Sequence, residues 1–186
     1  MDLEREKLLN IMHFYSADTI AFASRAKLIK LIYFLDFVHY RERGRSVTGL
    51  EYYAWEFGPV PRIFYNEWRA PHSDFRARFK VVSKEFPIGK DLTLQIRGKM
   101  DESVFSLYEW DLIVDLAKQH FRDSPEEMVD SMHFDLGPWE QTWQARRQHY
   151  AAIPYNAIFG ADNSDKNRAH RAHAFEKDSF RTRYGL

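Results

Sequence analysis

The chain has 186 residues, 45% hydrophobic and 29% charged, a balance that excludes a disordered polymer and fits one globular domain with some decoration. Lysine plus arginine equals aspartate plus glutamate at 27 each, so no bulk positive charge exists to drive non-specific nucleic-acid binding. With 0 cysteines, disulfides, thiolate nucleophiles and cysteine-based zinc or iron–sulfur sites are excluded.

Residues 2–15 place Leu8, Leu9, Met12 and Tyr15 on one stripe opposite Glu4, Glu6 and Lys7, which predicts an amphipathic first helix. This opening is charged and amphipathic, unlike a secretory signal. Ser24 reads as the N-cap of a second helix. In it Leu28, Leu31, Ile32, Leu35 and Val38 repeat at helical spacing, with Phe34 and Phe37 widening the apolar surface. Such a helix is buried on most sides, and is predicted to be the centre of the core. Its apolar run is too short, and too charged at its flanks, to cross a bilayer. Gly44 supplies a left-handed stop, with Arg41 and Arg43 complementing the helix dipole.

Val47 to Phe57 is rich in β-branched and aromatic residues and reads as extended. Tyr53, Trp55 and Phe57 then share one side of the strand, and Tyr52, Ala54 and Glu56 the other. Gly58-Pro59-Val60-Pro61 reads as a corner, with Pro61 in the first turn of a helix to about Trp68. Short strands are expected near Phe79–Ser83 and Leu92–Arg97, pairing with the Val47–Phe57 run. Ser106 to Phe121 reads as a helix with Leu107, Trp110, Ile113, Val114, Leu116 and Ala117 inward. Ser124-Pro125-Glu126-Glu127 carries an N-cap, a first-turn proline and a capping-box glutamate for a short helix to His133. Gly137-Pro138-Trp139 turns into a last helix to about Tyr150. Residues 161–186 lack periodicity and read as a mobile or partner-ordered tail.

Four of these segments together resemble a known family. Lys27-Leu28-x-Lys30-Leu31-x-Tyr33-Phe34-x-Asp36, then Gly44, then Tyr53-Ala54-Trp55 and Gly58-Pro59-Val60-Pro61, look like the Panacea, or SocA-like antitoxin, domain. Ser131-x-His133 followed by Pro138-Trp139 is similar to that domain's closing motif. The resemblance covers about Ser24 to Trp139, within a domain of residues 1–160 followed by the 161–186 tail. It implies a mainly α (α+β) fold: one helical domain with a small antiparallel β element inserted between the Gly-Pro-Val-Pro helix and the Ser106–Phe121 helix. It also implies the cytoplasmic antitoxin of a type II toxin–antitoxin pair, neutralising by direct contact a toxin encoded in an adjacent gene. The alternative it offers is a proteolytic adaptor that delivers a client to an ATP-dependent protease. Some relatives carry an added DNA-binding domain; no room for one precedes residue 24, so no direct DNA binding is expected, and no membrane association or cofactor.

The residues themselves point away from catalysis. No phosphate loop, paired glycosidase-like carboxylates, zincin motif or nucleophile elbow is present. His170 and His173 lack a rigidly held third metal ligand. His133 reads first as a half-buried histidine pinning the turn before Trp139, and Asp36 as a carboxylate bonded to a Lys, Arg, Tyr or Trp donor from another element. An enzyme would need His133, Asp135 and Asp36 to converge on one solvent-reachable cleft. Lys27 and Lys30 read as a solvated face or as contacts for an acidic toxin surface. The candidate partner contacts are therefore Lys27, Lys30, Tyr33, Tyr53, Trp55, Gly58, Pro59, Tyr65, His133 and Trp139, with core packing an equal rival for the aromatic ones.

Overall fold

The computed structural model of the chain describes residues 2–87, 89–133, 137–146 and 150–159, with backbone alone for 131–133 and 145–146. The expectation for the 161–186 tail, and Asp135, lie outside these residues.

Helix α1 (Leu3–Ser16) turns Leu8, Leu9, Ile11, Met12 and Tyr15 into the core, and α2 (Arg25–Arg43) runs through its centre. The Ser24 hydroxyl caps α2 by accepting from the Lys27 N–H, and Gly44, at φ 69°, ends it. Leu28, Leu31, Ile32 and Leu35 are fully buried, which is what apolar side chains around most of a helix's circumference require. Lys7, expected on the solvated side of α1, is instead buried, its Nζ 2.6 and 2.8 Å from the two Glu109 carboxylate oxygens.

Strand β1 (Tyr52–Trp55) folds back through Glu56-Phe57 into β2 (Gly58–Val60), pairing Tyr53 with Val60 and Trp55 with Gly58. The Gly-Pro-Val-Pro run is thus the second strand of a hairpin, and Pro61 the N-cap, not the first turn, of α3 (Arg62–Glu67). Helix α4 (Ser73–Arg78), absent from the sequence reading, buries Phe75. It leads into a second hairpin of β3 (Phe79–Phe86) and β4 (Gly89–Ile96).

Helices α5 (Leu107–Gln119), α6 (Pro125–His133) and α7 (Pro138–Arg146) follow, and β5 (Ala152–Ile153) closes the first sheet in the order β2-β1-β5. The fold is mainly α with small antiparallel β elements, and the β3–β4 hairpin lies between α3 and α5. Two further expectations are corrected. Strands β3 and β4 pair only with each other, because both edges of β1 are taken, by its own continuation and by β5. Leu107 is 85% exposed, at the first position of α5, before that helix reaches the core.

Both capping boxes form. Ser106 Oγ accepts from the Glu109 N–H while the Glu109 carboxylate accepts from the Ser106 N–H. Ser124 and Glu127 repeat the arrangement at the start of α6.

Candidate functional site

The β1–β2 hairpin and the first half of α2 enclose a cleft of about 400 Å³. Ile29 and Lys30 of α2 form one wall, Trp55, Phe57 and Pro59 of the hairpin another, and Tyr65 of α3 the end. Strand alternation decides what faces it. Tyr52 and Ala54 point into the core, leaving Tyr53 and Trp55 half-buried on the other side and Phe57 80% exposed at the turn.

The Trp55 ring is the hub. It meets Tyr65 edge-on at 5.2 Å and Tyr150 edge-on at 5.4 Å between ring centres. The Arg25 guanidinium lies 4.4 Å over the Tyr65 ring and 3.4 Å from Asp91 of β4. The Lys30 ammonium reaches under the turn and donates to the Phe57 carbonyl at 3.2 Å. Gly58, at φ 117°, holds the left-handed backbone this turn needs.

Beneath the cleft the hairpin is clamped. The Trp139 indole Nε1–H donates to the Trp55 carbonyl at 2.9 Å, and the Trp139 backbone N–H to the Tyr33 hydroxyl at 3.1 Å. Burial pushes the Tyr33 hydroxyl well above the usual phenol range, so it stays neutral; the bond from the Trp139 N–H pulls the other way.

Asp36, one turn along α2 from Tyr33, is fully buried. It accepts from the Val47 N–H (2.8 Å), the Thr48 N–H (2.9 Å) and hydroxyl (2.5 Å), and the Tyr52 hydroxyl (2.8 Å). Of the donors expected for it, tyrosine is the one found, with Thr48 and two backbone groups added. Burial pushes its pKa up to about 6, against the downward pull of these four bonds. Sealed in this way Asp36 reaches no open cleft, which is what a catalytic role for it would need; the His133 side chain and Asp135 lie outside the described residues.

Of the sequence candidates, Lys30, Trp55, Gly58, Pro59 and Tyr65 come together here, with Tyr33 and Trp139 below as supports. Tyr53 lies on the outward face of β1 under the Arg62 guanidinium, 4.9 Å away. Lys27 is apart from them and is no solvated residue. It is 0% exposed, its ammonium held by the carbonyls of Ala21 (2.8 Å) and Phe121 (3.1 Å). Burial pulls its pKa down to about 8, with Asp123 and Glu127 pulling it up. The His133 backbone ends α6, and its side chain lies outside the described residues. Sequence reasoning missed Arg25, Asp91 and Tyr150; the last reaches Trp55 only because β5 pairs with β1.

Among the described residues, Glu67, His72 and Asp74 stand at metal-ligand spacing, but the Arg5 guanidinium already occupies the carboxylates. Its bonds hold the Asp74 carboxyl down at about 2.

The family model described as "Antitoxin SocA-like, Panacea domain" matches residues 28–140, more than half of the chain. The chain belongs to this family. No curated protein and no solved structure gives a significant match. The Panacea domain match runs from α2 through the first residues of α7, so it contains Lys30, Trp55 and Tyr65 of the cleft, though not Arg25 or Tyr150, and the Trp139 clamp below it. Membership brings with it an antitoxin-type function and a toxin as the kind of partner. Among the described residues no helix is long and apolar enough to cross a membrane.

Proposed function

We propose that this Panacea domain neutralises a cognate toxin, encoded beside it, by direct and stoichiometric protein contact, and that the contact is centred on the hairpin cleft. The observation that carries the reading is a ring cluster left open to solvent around a concavity: Phe57 is 80% and Tyr150 61% exposed, and both line the cleft beside half-buried Trp55 and Tyr65. Exposed aromatics around a pocket are what a protein anchor requires, and most other large rings of the described chain are spent on the core. The supports below, Tyr33 and Trp139, hold the surface in shape without touching the toxin. Co-expression with the neighbouring gene tests the reading. Growth arrest caused by that gene should be relieved and a complex should be isolated; no relief and no complex would sink it. Pulse-chase of the toxin separates inhibition from delivery to a protease, since a fall in its half-life is expected only of an adaptor.

A further inference from the structure

We propose that the Lys30 end of the cleft receives a carboxylate of the toxin, an acidic side chain set beside an apolar one on the partner's surface. This rests on the reading that the cleft is the toxin contact. Lys30 is only 7% exposed, yet among the described residues no carboxylate closes an ion pair with it. Among these residues its one bond, to the Phe57 carbonyl, leaves donors of the ammonium unused. A buried cation without a counter-charge is costly, and the missing group is an anion.

The other charges around the cleft, among the described residues, do not supply it. Arg25 is engaged by Asp91 at 3.4 Å and by the Tyr65 ring; Asp91 in turn accepts from the Ala26 N–H at 3.1 Å. Glu56 sits exposed in the hairpin turn. Asp91 and Glu126 act on Lys30 only from a distance, and burial outweighs them, holding its pKa down at about 8; the group is still cationic at neutral pH. Ile29, Trp55 and Pro59 give the rest of the cleft an apolar lining, which asks for an apolar neighbour to the acid. A volume of about 400 Å³ is near the low end for small-ligand pockets and takes a side-chain-sized group. The apolar surface continues outward over Phe57 and Tyr150, favouring a group carried on a protein over a free metabolite.

The sign of the Lys30 titration on complex formation is the test, read by NMR on the full chain with ¹³C-labelled lysine, free and bound to the neighbouring gene's product. A toxin carboxylate raises the Lys30 pKa by a unit or more. Covering the cleft with uncharged surface lowers it further, and that result, or no change, overturns the inference while leaving the toxin reading intact. Lys30→Met should weaken the complex roughly ten- to hundredfold, as loss of a charged hydrogen bond does. A change within twofold in a folded variant also overturns it; if the variant does not fold, the wild-type titration decides. Tight binding of the probe phenylacetate, in place of the toxin, would assign the cleft to small carboxylates and overturn the partner assignment. Absence of any complex removes the toxin reading and this inference together.

Discussion

The Trp139 indole N–H donates to the main-chain carbonyl of Trp55 at 2.9 Å, joining α7 to the β1–β2 hairpin across 84 residues of sequence. The Trp139 backbone N–H, bound to the Tyr33 hydroxyl, adds α2 to the same junction. Residues that mark the start, middle and end of the family pattern therefore meet at one point, and what they do there is hold the hairpin. Trp139→Phe keeps a ring in the site but removes the indole donor to the Trp55 carbonyl. It should cost about 1–3 kcal/mol of unfolding free energy in urea titration. Trp139→Ala, which also leaves a cavity, should cost about 3–5 kcal/mol. A Phe variant as stable as wild type would show that the bond does not hold the hairpin.

Asp36 makes stability depend on pH in a defined direction. Its pKa is about 6 in the folded chain against 3.8 for an unperturbed carboxyl, so folding favours the protonated form. The stabilisation is complete below about pH 4 and is lost as pH rises through 6; ionised, the group costs on the order of 3 kcal/mol. Asp36→Asn cannot titrate. The difference in unfolding free energy between wild type and this variant should therefore shift toward the variant between pH 4.5 and 7.5. A difference that stays constant with pH would show that Asp36 does not titrate in that range.

The core helix was legible because its signals are local: the Ser24 cap, the 3.6-residue apolar repeat and Gly44 all act within α2. The two capping boxes were legible for the same reason, although only the second was read as one. The hairpin was not, since pairing of Gly58–Val60 and of Ala152–Ile153 with β1 depends on contacts that no window of sequence contains. Lysine burial was hidden too. Lys7, Lys27 and Lys30 sit at positions where a long side chain ordinarily reaches solvent. Here their acceptors, Glu109, the Phe121 carbonyl and the Phe57 carbonyl, are 102, 94 and 27 residues away. The site was legible as a neighbourhood, through the aromatic run and the prolines, while its charge arrangement needed the fold.

Gly58 is where backbone geometry sets the shape of the cleft. At φ 117° an L side chain is strained, yet a Cβ there would stand 3.5 Å from both Lys30 Cε and Val129 Cγ2, ordinary contact distance. The penalty of Gly58→Ala is thus conformational, about 1–3 kcal/mol. Relief of that strain should swing the Phe57 carbonyl away from Lys30. Chemical denaturation should report the stability loss, and Lys30 resonances should shift in NMR spectra of the folded variant. A stability change below about 0.5 kcal/mol would mean the turn relaxes without cost.

Phe57 offers the cleanest separation of fold from function. Its side chain is 80% exposed, it has no place in the core, and its backbone carbonyl, which Lys30 uses, survives substitution. Phe57→Ala should leave unfolding free energy within about 0.5 kcal/mol of wild type. If the ring anchors the toxin, the same change should weaken the complex by about 1–2 kcal/mol or more, seen as a tenfold or greater rise in Kd and as reduced relief of growth arrest. Tyr150 at 61% exposure should behave alike but more weakly, because part of its ring is already committed to Trp55. Full rescue by a Phe57→Ala, Tyr150→Ala double variant of unchanged stability would move the toxin contact away from this face. Loss of binding with the fold intact would fix it here, since neither side chain holds up the core that Trp139 and Asp36 maintain.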